Sequence, residues 1–124
     1  MDLASTLARG LAINRIAFGV GYIAAPERTG SGWVGKAAEK GGATVLTRAL
    51  GARDLVLGAG ALWAMRRGSE SARPWFAAHA VADATDLAAT VAAKDSLPRS
   101  GFRFALAMAG ISTAIAILGA TSAD

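Results

Sequence analysis

Three ionisable residues, His79, Asp83 and Asp86, lie within an apolar, alanine-rich stretch that covers residues 74–93. Their spacing of i, i+4 and i+7 places them on one face of a helix. An imidazole and a carboxylate one turn apart can bind a metal ion, Asp and His groups in apolar surroundings can relay a proton, and carboxylates can pair with arginine. The stretch has the length and composition of a membrane span, in which ionisable groups are costly and usually functional.

Charged residues also occur in the two apolar segments that precede this stretch. Together with the two aspartates above they form a set of three basic and three acidic residues: Arg15, Arg48, Arg53, Asp54, Asp83 and Asp86. If each were isolated at mid-bilayer it would cost ~3 kcal/mol, and the whole set would cost on the order of 18 kcal/mol. That sum exceeds the ~5–15 kcal/mol stability of a typical domain. We therefore expect these residues to face inward, where they pair with one another or line a hydrated cavity.

The depth of these residues along their helices predicts which of them meet. With a rise of ~1.5 Å per residue, Asp54 and Asp86 both lie ~18 Å from the turn at residues 66–73. We predict that one polar layer crosses the molecule and is formed by Arg15, Arg53, Asp54, His79, Asp83 and Asp86. In this layer the two arginines pair with the three aspartates.

Two roles for the polar layer remain open from the residues alone. Our first interpretation is a structural set of ion pairs that fixes the register of the helices in an accessory, structural or oligomeric membrane subunit. The alternative is the lining of a polar cavity in a module that binds or transports a small or lipid-like ligand. Arginines at the same depth satisfy the carboxylates, so we predict no metal site; they also favour the charged carboxylates, which works against a proton relay. A single histidine gives no support to Ser/His catalysis, so we predict no catalytic residue and no cofactor.

The elements that must position this layer are four apolar segments, at residues 3–25, 43–65, 74–93 and 104–122. Each has close to the ~20 residues that a helix needs to cross a bilayer core. The sequence therefore predicts an all-α, integral membrane, antiparallel four-helix bundle that forms a single domain over residues 1–124. A soluble four-helix bundle is the alternative, but its helices would need a long polar face that the first and fourth segments lack.

The longest connection, at residues 26–42, has two interpretations. Trp33 and Val34, followed by Ala37 and Ala38, alternate with charged residues there, a pattern that is typical of a short amphipathic helix at a membrane interface. The same segment is rich in glycine and is also compatible with an irregular loop.

Composition limits the partners of the chain. Hydrophobic residues make up 53% of it and charged residues only 18%, below the share usual in soluble domains. The net charge is +4, but the basic residues are scattered, so we predict no nucleic-acid partner. We expect the partners to be the lipid bilayer and either a second copy or another membrane protein. Two small-xxx-small pairs, Ala105/Ala109 and Gly110/Ala114, are the candidate docking faces.

One stretch of the second segment resembles a known family. The run Arg48-Ala-Leu-Gly51-Ala-Arg53-Asp54-Leu-Val-Leu-Gly58 is similar to an R-x-x-G-x-R-D-x-x-L-G signature of small uncharacterised four-helix membrane proteins from actinobacteria, which are loosely DoxX-like. The resemblance implies a four-helix fold in a bacterial plasma membrane. It implies no chemistry, because the family has none assigned.

Overall fold

A computed structural model describes residues 2–121 of the chain. The described residues form α-helices α1 (Leu3–Ala24), α2 (Pro26–Val34), α3 (Gly41–Met65), α4 (Ser69–Ala92) and α5 (Arg99–Thr121). Two short 3₁₀ helices, Gly35–Glu39 and Lys94–Ser96, follow α2 and α4. The prediction of an all-α fold is confirmed for this part of the chain, which contains no strand.

The long helices pack side by side, with α1 against α3, α3 against α4, α4 against α5, and α5 against α1, and we refer to the packed helices as the bundle. Proline and glycine set the turns. Pro26 disfavours helix at the residue before it, so α1 ends there, and its fixed φ then starts α2. Gly68, with φ of 116°, provides the turn between α3 and α4. At the start of α1, Asp2 accepts a hydrogen bond of 2.7 Å from the Ser5 amide, which lowers the pKa of that exposed carboxyl.

The segment at residues 26–42 is mostly helical and forms α2 and the first 3₁₀ helix. It packs against α1 and against the start of α5. The helix that contains the third apolar segment begins before that segment, at Ser69, and Pro74 lies inside the helix. Most of residues 69–73 are polar, but Glu70 in the first turn complements the positive end of the helix dipole and lets the helix start earlier.

Three glycines bring the backbones of α1 and α3 into contact. A Cβ on Gly51 would lie 2.7 Å from the carbonyl oxygen of Gly19, and one on Gly58 would lie 2.6 Å from that of Ala12. Distances this short leave no room for a side chain. Helices α1 and α3 therefore approach closely at these glycines, and this approach sets the distance between the two helices that carry Arg15, Arg53 and Asp54.

Apolar side chains cover much of the outside of the bundle. Of the described helices, only α5 is long and apolar enough to cross a membrane by length and composition, and just 11% of its most apolar window is buried. Large apolar residues are exposed on all four long helices: Leu3, Leu7, Ile13, Val20, Ile23, Val45, Leu46, Val56, Trp63, Val81, Val91, Phe104, Ile111, Ile117 and Leu118. The buried core consists mostly of alanines around Phe76.

Candidate ligand cavity and its charge network

A network of five charged side chains crosses the interior of the bundle. Arg15 on α1 donates to Asp54 on α3 at 3.0 Å, and it donates through its other terminal nitrogen to Asp83 on α4. Arg53 donates to Asp54 at 3.0 Å and, through both terminal nitrogens, to Asp86 at 3.0 and 2.7 Å. The pairing predicted from the sequence is thus confirmed. We call these five residues the charge network.

The charge network is most buried at its Arg15 end. The side chains of Arg15 and Asp83 are 6% and 7% exposed, whereas those of Arg53 and Asp86 are 32% and 21% exposed. Asp54 joins the two ends, because its Oδ1 atom accepts from both arginines. The expectation that every charged residue faces inward holds fully for the Arg15 end and only in part for Arg53.

Glycine spacing explains how the network is placed. Gly51, Asp54 and Gly58 recur at i, i+3 and i+7, so they share the face of α3 that meets α1. Arg15 lies between Ala12 and Gly19, the α1 residues that these glycines contact. The close backbone approach therefore puts the Arg15 guanidinium beside the Asp54 carboxylate.

Two residues, His79 and Arg48, lie outside the positions predicted for them from the sequence. His79 is fully buried, but its Nε2 donates to the carbonyl oxygen of Leu57 at 2.9 Å and its ring packs against Phe76, so it lies outside the charge network. Arg48 is exposed and donates from Nε to the Ile23 carbonyl oxygen at 3.2 Å. Arg48 is near the start of α3, where a long side chain reaches the end of α1 and needs no buried partner.

A cavity of about 80 Å³ borders the charge network. Residues from all five α-helices line it: Leu11, Asn14, Arg15, Phe18, Tyr22, Trp33, Asp54, Asp83, Asp86, Thr90, Phe104, Ala105, Met108, Ala109 and Ser112. Asn14 on α1 and Phe104 on α5 are exposed, so the cavity opens to the side of the bundle between these helices. The rings of Phe18 and Phe104 meet across this opening, with centroids 6.4 Å apart.

Helix α2 closes the cavity at one end. The indole nitrogen of Trp33 donates to Thr90 Oγ1 at 3.1 Å, and that hydroxyl donates to the backbone carbonyl oxygen of Asp86 at 2.7 Å. Trp33 is thereby tied to α4 beside a residue of the charge network. Thr90 is not among the residues predicted for the site, and its only signal in the sequence is its place one turn after Asp86.

Two polar atoms of the network are left without a partner. Within residues 2–121, no group hydrogen-bonds to Oδ2 of Asp83 or to Nε of Arg15, and both atoms are buried. Among the same residues, no three His, Cys, Asp or Glu side chains are grouped as metal ligands would be. Arginines lie between the carboxylates instead, and Asp83 keeps one oxygen without a donor among the described residues.

Comparison of the chain with protein-family models, with curated proteins and with solved structures finds no match. The resemblance to the actinobacterial four-helix proteins stays a prediction.

Proposed function

We propose that the protein is a multi-pass membrane protein in a bacterial plasma membrane, and that its four long helices cross the bilayer as an antiparallel bundle. The helices have 22 to 25 residues, enough at ~1.5 Å per residue to cross a core of ~30 Å. The outward-facing apolar residues support this proposal, because a soluble helix of this kind would bury them. The small buried share of α5 supports it as well, since the core helix of a soluble protein would be mostly buried.

We further propose that the bundle is a binding module for a small or lipid-like ligand. The observation that carries this proposal is the cavity, which reaches the charge network from the side of the bundle between α1 and α5. In a bilayer that opening would face the acyl chains, so an amphipathic ligand can enter from the membrane. A purely structural network would need no such opening.

Native mass spectrometry of the protein extracted gently from its own membrane tests the binding proposal. We expect a reproducible added mass of small-molecule or lipid size on the wild type. Asp83→Asn should lose this mass, because it removes the charge of a carboxylate that lines the cavity and has one unpaired oxygen. Asp95→Asn is the matched control, since this exposed residue lies in the second 3₁₀ helix, outside the cavity. A bare wild-type protein under gentle extraction would argue against the proposal.

A structural or oligomeric subunit is the second candidate function, and one surface favours it. Gly110 has no neighbouring atom within 4 Å of the position of a Cβ, and Ala114 one turn later is exposed, so this small-residue face of α5 is free to dock a second helix. The other predicted docking pair is wrong, because Ala105 and Ala109 are only 8% and 9% exposed and line the cavity.

The absence of cysteine from the sequence makes the oligomer testable. If α5 meets its copy through the Gly110 face, Ala114→Cys should form a disulfide-linked dimer in native membranes. Ala88→Cys, on an exposed position of α4, is the control and should stay monomeric. Equal cross-linking of both variants would indicate random collision and contradict a specific α5 interface.

A further inference from the structure

The charge network has an unequal number of positive and negative groups. Two guanidinium groups face three carboxylates, so the network carries one net negative charge when all five are ionised. His79 does not supply the missing positive charge. Its Nε2 proton is used on the Leu57 carbonyl, and a protonated ring would also bury a second N–H, at Nδ1, that has no partner among the described residues. An uncompensated charge in a buried site is costly.

The missing positive charge has a place to bind. Asp83 lines the cavity, is 5% exposed, and keeps one oxygen without a hydrogen-bond partner in residues 2–121. Of the other lining carboxylates, Asp86 uses both oxygens on Arg53. Asp54 accepts through Oδ1 alone, but it pairs with both arginines, whereas Asp83 pairs only with Arg15. Asp83 is therefore the lining carboxylate with the least positive charge beside it.

The walls of the cavity suit an organic cation. Four aromatic residues line it, namely Phe18, Tyr22, Trp33 and Phe104. Aromatic faces attract ammonium groups, most strongly where water is excluded. A bare metal ion would instead need several oxygen ligands, which the arginines already occupy.

We propose that the cavity binds an ammonium group, primary or methylated, carried on an apolar tail. This inference rests on the proposed function as a binding module and names its ligand class. The ammonium donates to Asp83 and cancels the net charge of the network. The volume of about 80 Å³ limits the buried part of the ligand to a small head group, and the tail leaves between α1 and α5. Both a free amphipathic amine and the head group of an amine-bearing lipid have this chemistry.

Titration calorimetry on the purified full chain in maltoside micelles tests the charge preference. Octylammonium is the probe, with octanol and octanoate as neutral and anionic probes of the same tail length, and empty micelles give the background. A hydrogen bond to a charged group corresponds to roughly a ten- to hundredfold change in affinity. We expect octylammonium to bind with one site per chain and at least tenfold more tightly than octanol, and octanoate to bind most weakly.

Two variants separate the role of the charge from the role of the space. Asp83→Asn should lose the preference for octylammonium over octanol, and Asp95→Asn should keep it. Ala105→Leu fills the wall of the cavity without changing a charge, and it should abolish binding of both probes. Ala105→Leu keeps the test valid if Asp83→Asn proves unstable.

The outcomes distinguish the inference from the proposed function. Equal binding of octanol and octylammonium, both lost in Ala105→Leu, would overturn the cation inference and leave the binding module intact. Binding of no probe, with no added mass on the native protein, would overturn both. If the inference holds, the mass retained from the native membrane identifies the source as a free amine or an amine lipid. Nanodiscs of phosphatidylethanolamine and of phosphatidylglycerol check the lipid arm, and only the former should yield a bound lipid.

Discussion

Replacement of Arg15 by methionine tests the physical account of the bundle most severely. Among the described residues, Arg15 alone pairs with Asp83, and it also shares Asp54 with Arg53. Methionine fills a similar volume but leaves the Asp83 carboxylate buried and alone. The network would then hold three negative groups against one positive group.

The expected loss of stability follows from this burial. Removing one partner of a buried ion pair costs about 3–5 kcal/mol, because the other charge is left without compensation. That is a large share of the ~5–15 kcal/mol that holds a typical domain together. Asp83→Asn should cost much less, about 1 kcal/mol, because it removes the excess charge and its amide oxygen still accepts from Arg15. The two ends of one ion pair are thus expected to respond unequally.

Equilibrium unfolding in mixed maltoside and dodecyl sulfate micelles, followed by tryptophan fluorescence, measures these differences. Arg48→Met is the matched control, because Arg48 is exposed and pairs with a backbone carbonyl oxygen. The double variant Arg15→Met/Asp83→Leu should recover most of the loss, since replacing a whole buried pair by apolar residues is often neutral. If Arg15→Met lowers the free energy of unfolding no more than Arg48→Met does, the charge network does not stabilise the bundle as we argue.

Two further predictions use the same unfolding assay. Gly58→Ala should destabilise the bundle by about 1–3 kcal/mol, because the added methyl group would press on the α1 backbone. Gly10→Ala, which adds a methyl group to α1 in open space, should stabilise the bundle by about 0.5–1 kcal/mol. A change of the same sign in the free energy of unfolding for both variants would contradict the close contact of α1 and α3. Trp33→Phe should lower the free energy of unfolding by about 0.5–1.5 kcal/mol, because the hydrogen bond to Thr90 is lost. Adding Thr90→Val to this variant should cause little further loss of stability. Fully additive losses would show that the two side chains do not interact.

Depth along the helices was the most useful sequence signal. The helix rise is nearly constant, so residue counts from a turn place Arg15, Arg53, Asp54 and Asp86 at about one level and Asp83 one turn away. The cost of burying an unpaired charge then restricts how charges at that depth are arranged. The same count places Arg48 nearer the start of α3, where its long side chain reaches the end of α1 and hydrogen-bonds to the Ile23 carbonyl oxygen. The prediction that Arg48 faces inward was therefore wrong.

Features that depend on the rotation and separation of helices were beyond the sequence. His79 shares a helix face with Asp83, but its ring hydrogen-bonds to the Leu57 carbonyl oxygen of α3 and so lies outside the charge network. The cavity lies among residues from all five α-helices, and no residue pattern reports a gap between helices. The contact of Trp33 with Thr90 joins residues 57 positions apart, which the local pattern around either residue does not indicate.

The measurement that tests the central claim most directly is the sidedness of single cysteines in native membrane vesicles. Lys36→Cys and Lys94→Cys lie in the two 3₁₀ helices at one end of the bundle, Arg67→Cys lies at the other end, and Val56→Cys faces outward at mid-helix. With a membrane-impermeant maleimide, we predict that positions 36 and 94 react from one side of the membrane, that position 67 reacts only from the opposite side, and that position 56 does not react. Labelling of all four from the same side, or recovery of the protein in the soluble fraction, would contradict a bundle that spans the membrane.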